Sequence, residues 1–256
     1  MRKKRFLFVA MLFTALSLGF ASCDNDKGNE PDDPATEQGS SSSVSGTENG
    51  HEWVDLGLSV KWATCNVGAT KPEEYGNYYA WGEVEPKEVY SRSTYKFMDS
   101  NINDWSGVNK YTIADGQTDG VWYDSEGNFI GDNKTVLDKE DDAAAVNMGG
   151  SWRMPTYDEL EELKTKCTWT WTTLNGVNGH NVEGPNGNAI FLPAAGSRYD
   201  SDLYDAGSYG AYWSSSLNTD NSDSAYRLFL YPYSGIVYWV GEYRFGGFSV
   251  RGVFSH

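Results

Sequence analysis

Residues 197–247 carry most of the information about this fold and read SRYDSDLYDAGSYGAYWSSSLNTDNSDSAYRLFLYPYSGIVYWVGEYRFGG. Nine of the 17 tyrosines fall in this stretch, among many Ser, Gly, Asp and Asn residues. The mixture is typical of recognition surfaces, because Tyr gives a large contact area with few torsions to immobilise, and Ser and Asn adapt their hydrogen bonds. Aromatic residues and Gly/Asn turns are also used by ordinary strands and hairpins, so we expect roughly half of these rings to be core.

Alternating apolar and polar residues predict a series of short strands along the chain. In the first of them, at 58–65, Leu58, Val60 and Trp62 share one face. Further strands are predicted at 75–82, 168–173, 189–193, 225–231, 236–240 and 248–253. Residues 85–135 have little periodicity and are predicted to be long loops with one short hairpin at 121–130.

Two short helices are predicted between these strands. The first covers 141–147, with acidic residues at its start and two glycines after its end. The second follows Pro155, where Thr156 and Glu159 have the spacing of a capping box, and it is expected to end near Lys166. Many short strands, two short helices and long loops together predict an α+β domain.

The N-terminal part of the chain is predicted to be an export and anchoring segment. Residues 1–22 have a basic start and an apolar run, as in a lipoprotein signal peptide, and Cys23 follows small residues as a lipidation site does. Residues 23–50 are acidic and Ser-rich, and we expect a disordered tether there. Acidic residues just behind Cys23 are similar to an export signal of bacterial surface lipoproteins. These features predict an outer-membrane lipoprotein at the cell surface, with a periplasm-facing anchor as the alternative. Residues 51–256 are left as one domain.

The charge of the chain argues against two classes of partner. Removal of residues 1–22 leaves 16 Lys and Arg residues against 36 Asp and Glu residues. A strongly acidic chain is not expected to bind nucleic acid, whose phosphates need basic patches. It is equally unsuited to docking on anionic lipid, so lipid on Cys23 would be its one contact with a membrane.

Cys65 and Cys167 remain after Cys23, and an exported chain meets an oxidising compartment. The even number favours a disulfide between them, with two separate buried thiols as the alternative. Arg153 and Arg251 lie among apolar and small residues. We expect them to be buried and to tie loops together through backbone carbonyls or a carboxylate such as Glu83, rather than to line a site.

Five short phrases carry a family resemblance: VDLGLSV at 54–60, WRMPT at 152–156, LPAAG at 192–196, YWSSS at 212–216 and GFSVR at 247–251. Together they resemble the Fibrobacter succinogenes major paralogous domain, which is common in lipoproteins of gut Bacteroides. The resemblance covers nearly all of 51–256. It implies a C-type lectin-like fold in the branch of the formylglycine-generating enzyme.

The resemblance does not imply the chemistry of that branch. Its catalytic members use two closely spaced cysteines near the C-terminus, whereas the last cysteine here is Cys167. The motifs with which C-type lectins hold Ca²⁺ and sugar are absent from the sequence. No two of His51, His180 and His256 have the spacing of metal ligands. We therefore expect no enzyme activity, no cofactor and no metal.

These observations predict a non-catalytic binding or adhesion protein whose C-terminal surface holds a glycan or a protein. Two alternatives stay open: a divergent enzyme on the same fold, and a structural subunit of an envelope or fimbrial assembly. The rings expected to contact the ligand are Tyr199, Tyr204, Tyr209, Tyr212, Trp213, Tyr231, Tyr233, Tyr238, Trp239 and Tyr243. The side chains expected to supply hydrogen bonds are Asp200, Asp202, Asp205, Asn218, Asp220 and Asn221.

Overall fold

The computed structural model describes residues 44–102, 104–114, 120–232 and 238–256, and for 238–240 it describes the backbone alone. Residues from Ser42 to the C-terminus form one compact unit. The strands within the described ranges are β1 (Ser45–Glu48), β2 (His51–Asp55), β3 (Val60–Asn66), β4 (Thr168–Leu174), β5 (Val177–Glu183), β6 (Ala189–Pro193), β7 (Ser197–Tyr199), β8 (Asp202–Tyr204), β9 (Gly210–Leu217), β10 (Ser224–Leu230), β11 (Tyr238–Tyr243) and β12 (Arg251–Ser255). The α-helices are α1 (Ala143–Met148) and α2 (Tyr157–Lys166), and three single 3-10 turns lie at Arg92–Thr94, Trp105–Gly107 and Lys139–Asp141.

The strands form three antiparallel sheets and one separate hairpin. The first sheet has the order β1-β2-β3-β12, so it joins the two ends of the compact unit. The second has the order β11-β10-β9 and the third the order β4-β5-β6, while β7 and β8 pair with each other. Because β1 belongs to the first sheet, the sheet includes residues that the sequence assigned to the tether.

The predicted α+β class is wrong, because antiparallel sheet dominates the described structure. The two α-helices have only 6 and 10 residues. The physical reason lies in the composition: Thr, Tyr, Trp and Val with frequent Gly and Asn turns favour hairpins over helices. The protein is a β-rich fold to which two short helices are added.

Both predicted helices are confirmed. The carboxylate of Asp142 caps α1 by accepting the amide of Ala145, and Gly149 ends the helix with a φ of 68°. At α2 the Thr156 side chain accepts the Glu159 amide, and the Glu159 side chain accepts the Thr156 amide, which is the predicted capping box. Local sequence was sufficient here because every partner lies within four residues.

The predicted strands are confirmed in part. Six of the predicted segments contain or overlap observed strands, and the hairpin at 121–130 is present, with amide-to-carbonyl bonds from Ile130 to Trp122 and from Asp124 to Asn128. The predicted strand at 75–82 is not formed, since that segment makes only an isolated bridge between Tyr79 and Phe248. Its aromatic rings are core residues of an irregular segment.

Two clusters of buried side chains fill the unit. The larger is rich in aromatic rings and contains Trp81, Trp152 and Trp213, while the smaller gathers Leu160 and Leu163 of α2 around Trp62. Each of these three larger-cluster tryptophans donates its indole N–H to a backbone carbonyl at 2.8–2.9 Å. Burial of the rings therefore leaves no unsatisfied donor on them.

Arg251 confirms the expectation of a buried structural arginine. Its guanidinium donates to the carbonyls of Ala63, Thr64 and Phe191 and to Oδ1 of Asn66, at 2.8–3.0 Å. Arg251 lies in β12, and these acceptors belong to β3 and β6, so one side chain connects two sheets. Arg153 is half-buried and makes a two-pronged pair with Glu159 instead of the suggested Glu83.

The predicted disulfide is wrong, because Cys65 and Cys167 are both free thiols. Cys65 lies in β3 and lines a cavity beside His51 and Thr70. Cys167 follows the last residue of α2 and packs against the smaller core cluster. An even number of cysteines shows only that a bridge is possible, and here the two thiols are unpaired.

Candidate functional site

The predicted binding rings separate into core and surface. Tyr212 and Trp213 are 1% and 0% exposed, so they cannot touch a ligand. Their prediction as binding rings is wrong. The Tyr212 hydroxyl donates to the Pro193 carbonyl at 2.7 Å. Both residues lie in β9, which is covered by β10 on one edge and by the segment around Ser249 on the other. Tyr212 packs in the smaller core cluster and Trp213 in the larger one, so both faces of β9 are covered and both rings are buried.

Three rings form a surface group at one end of β9 and β10. Tyr209 stacks on Phe229 with ring centroids 4.6 Å apart and an interplanar angle of 25°. Tyr231 lies 4.5 Å from Phe229 and 6.2 Å from Tyr209. The Tyr209 hydroxyl is hydrogen bonded to the Ser197 side chain, which holds the ring against the sheet.

Four more rings form a second surface group around the β7–β8 hairpin. Tyr199 lies 6.4 Å from Tyr204 and 6.4 Å from Phe245. Tyr243 and Phe245 are stacked at 5.4 Å with an interplanar angle of 10°. The Arg92 guanidinium lies 5.9 Å from the centroids of both Tyr243 and Phe245. Stacked pairs of this kind keep their ring planes fixed without a ligand.

Arg227 joins the two groups. Its guanidinium lies 4.6 Å from the Phe229 ring and 4.9 Å from the buried Phe248 ring, and Phe248 in turn contacts Tyr199 at 5.9 Å. Nη2 of Arg227 also pairs with the Glu242 carboxylate at 2.5 Å. We call the seven surface rings the aromatic stripe; they are Tyr199, Tyr204, Tyr209, Phe229, Tyr231, Tyr243 and Phe245.

The stripe is accessible as well as continuous. Tyr204, Tyr231 and Tyr243 are each 44% exposed, and the other four rings are half-buried. Partly buried rings are held in place by their neighbours, whereas exposed ones present faces to solvent. This combination is what a preorganised stacking platform requires, because ordering a mobile ring on binding would cost free energy.

Features of the local sequence determine where these rings lie. Side chains two residues apart share a face of a strand, so Arg227 and Phe229 of β10 and Tyr231, the first residue after it, follow one another on one face. Asp200 turns the β7–β8 hairpin with a φ of 48°, in the left-handed region that Asp tolerates. Gly196 precedes this hairpin, and a Cβ there would lie 2.1 Å from the Tyr204 carbonyl oxygen, so the hairpin could not pack with a larger residue.

Three phenol groups of the stripe, those of Tyr199, Tyr204 and Tyr209, have raised pKa values. Burial, together with the Glu242 carboxylate, raises the pKa of Tyr199 far above its usual range. Burial also raises the pKa of Tyr209, and the Asp202 carboxylate raises that of the exposed Tyr204. Each hydroxyl can therefore donate and accept a hydrogen bond at its rim.

The predicted polar residues lie in two places. Asp200, Asp202 and Asp205 are exposed in and beside the β7–β8 hairpin, next to Tyr199 and Tyr204. Asn218, Asp220 and Asn221 lie in the β9–β10 turn, at the other end of these strands from Tyr209 and Tyr231. Asn218 and Asn221 use their Oδ1 atoms to accept amides of that turn. Tyr233 and the side chains of Tyr238 and Trp239 lie outside the described part of the structure.

Sequence reasoning missed Phe229, Phe245 and Arg227, because it searched for tyrosines and tryptophans. The two-residue spacing from Arg227 to Tyr231 was the available signal. No comparable pattern marks Phe245, which lies in the segment after β11, where Gly247 pairs with Arg198 of β7.

A cluster of carboxylates at Asp138, Glu140 and Asp141 has the spacing of a cation site. Its oxygens already accept from lysines: Asp141 pairs with Lys96 and Lys110 at 2.7 and 2.5 Å, and Asp138 pairs with Lys134 at 2.5 Å. This arrangement is an ion-pair network that ties the loop at 96–110 to the start of α1.

No family model, no curated protein and no solved structure matches the chain. The resemblance to the major paralogous domain therefore stays a prediction from the five phrases. In the described ranges, neither α-helix has the length and apolarity needed to cross a bilayer.

Proposed function

We propose that this protein is a lipid-anchored, non-catalytic binding protein of the outer cell surface whose aromatic stripe holds a neutral glycan. The observation that supports this most directly is the aromatic stripe itself: seven rings in two groups joined through Arg227 and Phe248, with three of the rings 44% exposed. Aromatic faces bind the apolar faces of sugar rings, and phenol and carboxylate oxygens at the rims bind sugar hydroxyls.

The charges around the stripe favour a neutral ligand over an anionic one. Asp200, Asp202 and Asp205 are exposed beside the second group of rings. The central cation, Arg227, is 9% exposed and is already paired with Glu242. A polyanionic glycan would approach these three carboxylates, and the acidic chain as a whole would repel it.

The two groups of rings also suggest the length of the ligand. Each group offers stacking faces to one or two sugar rings, and the Arg227–Glu242 pair lies between the groups. A ligand that spans both would contain several sugar units, and its affinity would come from several weak stacking contacts together. A single monosaccharide would contact only one group and bind weakly.

A matched pair of variants tests this proposal. Tyr204→Ala, Tyr231→Ala and Tyr243→Ala are combined in one triple variant, because these three exposed rings contribute little to the core. Tyr226→Ala is the control, since Tyr226 lies on the other face of β10 and packs against Tyr157 at 4.6 Å. The chain from residue 23, with Cys23→Ser, is screened on an array of neutral and acidic glycans, and hits are titrated by calorimetry.

We expect binding to neutral oligosaccharides, at least about tenfold weaker affinity in the triple variant, and unchanged affinity in Tyr226→Ala. A tenfold loss corresponds to about 1.4 kcal/mol, a modest sum for three rings. Binding confined to acidic glycans, no binding to any glycan, or equal affinity in the triple variant would each refute the proposal. Capture of a protein partner without glycan would favour the protein-binding alternative.

The anchor has a separate test. Mass spectrometry of the protein from its native membranes is expected to show an N-terminus at Cys23 carrying acyl chains, and Cys23→Ser is expected to abolish them. Protease added to intact cells would then degrade a surface-exposed domain and spare a periplasm-facing one. An unmodified N-terminus at another residue would contradict lipid anchoring and leave the stripe untouched.

A further inference from the structure

A second concave site lies away from the stripe. An open cavity of about 400 Å³ is bordered by α1, by the segment that leads into α2 and by residues 136–137. Its lining contains no residue of the aromatic stripe. Whatever it holds would therefore bind independently of the glycan proposed above.

The walls of this cavity are mainly apolar. Leu137, Ala145, Trp152 and Met154 contribute buried side chains to it. Val136 lies at the rim and is 46% exposed. A concave apolar surface of several hundred cubic ångströms that is not filled by the protein's own side chains is the usual form of a small-molecule site.

The charged groups in the lining differ in availability. Both oxygens of Asp142 accept backbone amides, from Ala145 and Met154, at 2.8–3.0 Å. The two terminal nitrogens of Arg153 are bonded to the Glu159 carboxylate. Lys139 is exposed, lines the cavity and has no ion-pair partner among the described residues. The cation that a ligand can recruit is therefore Lys139.

We propose that this cavity binds a small molecule with an apolar body of about two fused rings and a single carboxylate, with the carboxylate at Lys139. The size follows from volume, since a cavity of about 150 Å³ holds one benzene ring. The single negative charge follows from the one available cation. A second negative charge would lie close to Asp142, which lines the same cavity, and this disfavours it.

The inference can be tested with two probes of equal shape. 1-Naphthylacetate carries the anionic group, and 1-naphthylacetamide has the same rings without the charge. Each is titrated into the isotopically labelled chain from residue 23 (Cys23→Ser), and amide shifts are followed by NMR. We expect saturable shifts at Ala145, Trp152 and Met154, with the acetate binding about three- to fivefold more tightly, as one solvent-exposed ion pair allows.

Three variants locate the two parts of the ligand. Lys139→Gln should remove the preference for the acetate and keep binding of the amide. Lys134→Gln is the matched control, since Lys134 pairs with Asp138 outside the cavity, and it should change neither affinity. Ala145→Leu should fill the cavity and weaken both probes at least tenfold; if it also unfolds the chain, the Lys139 variant still decides the question.

Two results would overturn the inference. One is the absence of saturable shifts at these residues, or shifts confined to the aromatic stripe. The other is an acetate preference that survives in Lys139→Gln, which would remove the basis for the anionic ligand class. Failure of either kind leaves glycan binding by the stripe unaffected, because the two sites share no residue.

Discussion

Replacement of Arg251 by Met should be among the most destabilising single changes in this protein. The arginine is 1% exposed, and burial lowers the pKa of its guanidinium. Methionine keeps the apolar stem but removes four hydrogen bonds, to Asn66, Ala63, Thr64 and Phe191. A hydrogen bond to a charged group contributes about 1.5–3 kcal/mol, so the loss of four in one substitution should cost at least about 3–5 kcal/mol, a large part of the roughly 5–15 kcal/mol that stabilises a typical domain.

Urea unfolding at neutral pH, followed by tryptophan fluorescence, measures this loss. With a slope of about 2 kcal/mol per molar urea, the midpoint should fall by about 1.5–2.5 M. Arg251→Lys should lose at least half as much, because one ammonium cannot reach acceptors on two sheets. Lys166→Met is the control, since its pair with Glu162 is on the surface and contributes at most about 1 kcal/mol. A midpoint for Arg251→Met within about 0.5 M of the parent would refute the reasoning.

Three other predictions concern thiols, acid stability and the hairpin. Burial raises the pKa of Cys167 to about 11. Iodoacetamide should therefore alkylate it on the order of a hundredfold more slowly than a free cysteine at mildly alkaline pH. Excess reductant should leave the melting temperature unchanged, and a reductant-dependent shift would show that the disulfide forms. Burial tends to raise the pKa of Asp141, but its hydrogen bonds from lysines and a tyrosine hold that pKa below its usual 3.8. The contribution of Asp141 to the free energy of unfolding is therefore present above pH 3.8 and is lost as pH falls through the folded-state pKa. Asp141→Asn should accordingly reduce the difference between the urea midpoints measured at neutral pH and in acid, and an unchanged difference would exclude this role. Gly196→Ala should destabilise the chain by at least about 2 kcal/mol, because φ there is +69° and the new Cβ meets the Tyr204 carbonyl; a melting temperature equal to the parent's would show that the hairpin can shift.

Local patterns gave reliable predictions wherever their partners were also local. The capping box of Thr156 and Glu159 spans three residues, and the alternation of Thr and Trp in β4 needs only its own two faces. The predicted strand at 75–82 failed because its rings are used as core and its backbone finds only a single bridge, at Phe248, far along the chain. The disulfide failed for a related reason: cysteine number is a property of the sequence, and cysteine distance is not.

The candidate site shows the same difference between what local sequence predicts and what distant contacts decide. Residues 197–247 contain both Trp213 and Tyr231, within one Tyr- and Ser-rich composition. The first is fully buried and the second is 44% exposed. Composition predicted a ligand-binding surface in this stretch, but it could not sort the rings, because Trp213 is buried against distant segments that contain Tyr79 and Phe248.

The sequence by itself determined the two capped helices, most strands, the structural role of Arg251 and the acidic, aromatic character of the C-terminal part. These follow from hydrogen-bond partners a few residues apart and from the two-residue period of a strand. Only the tertiary structure decided that sheet dominates the fold, that the cysteines stay apart, which rings join into a stripe and where an apolar cavity remains. Each of these depends on contacts between segments tens to hundreds of residues apart, whose pairing is set by the packing of the whole unit.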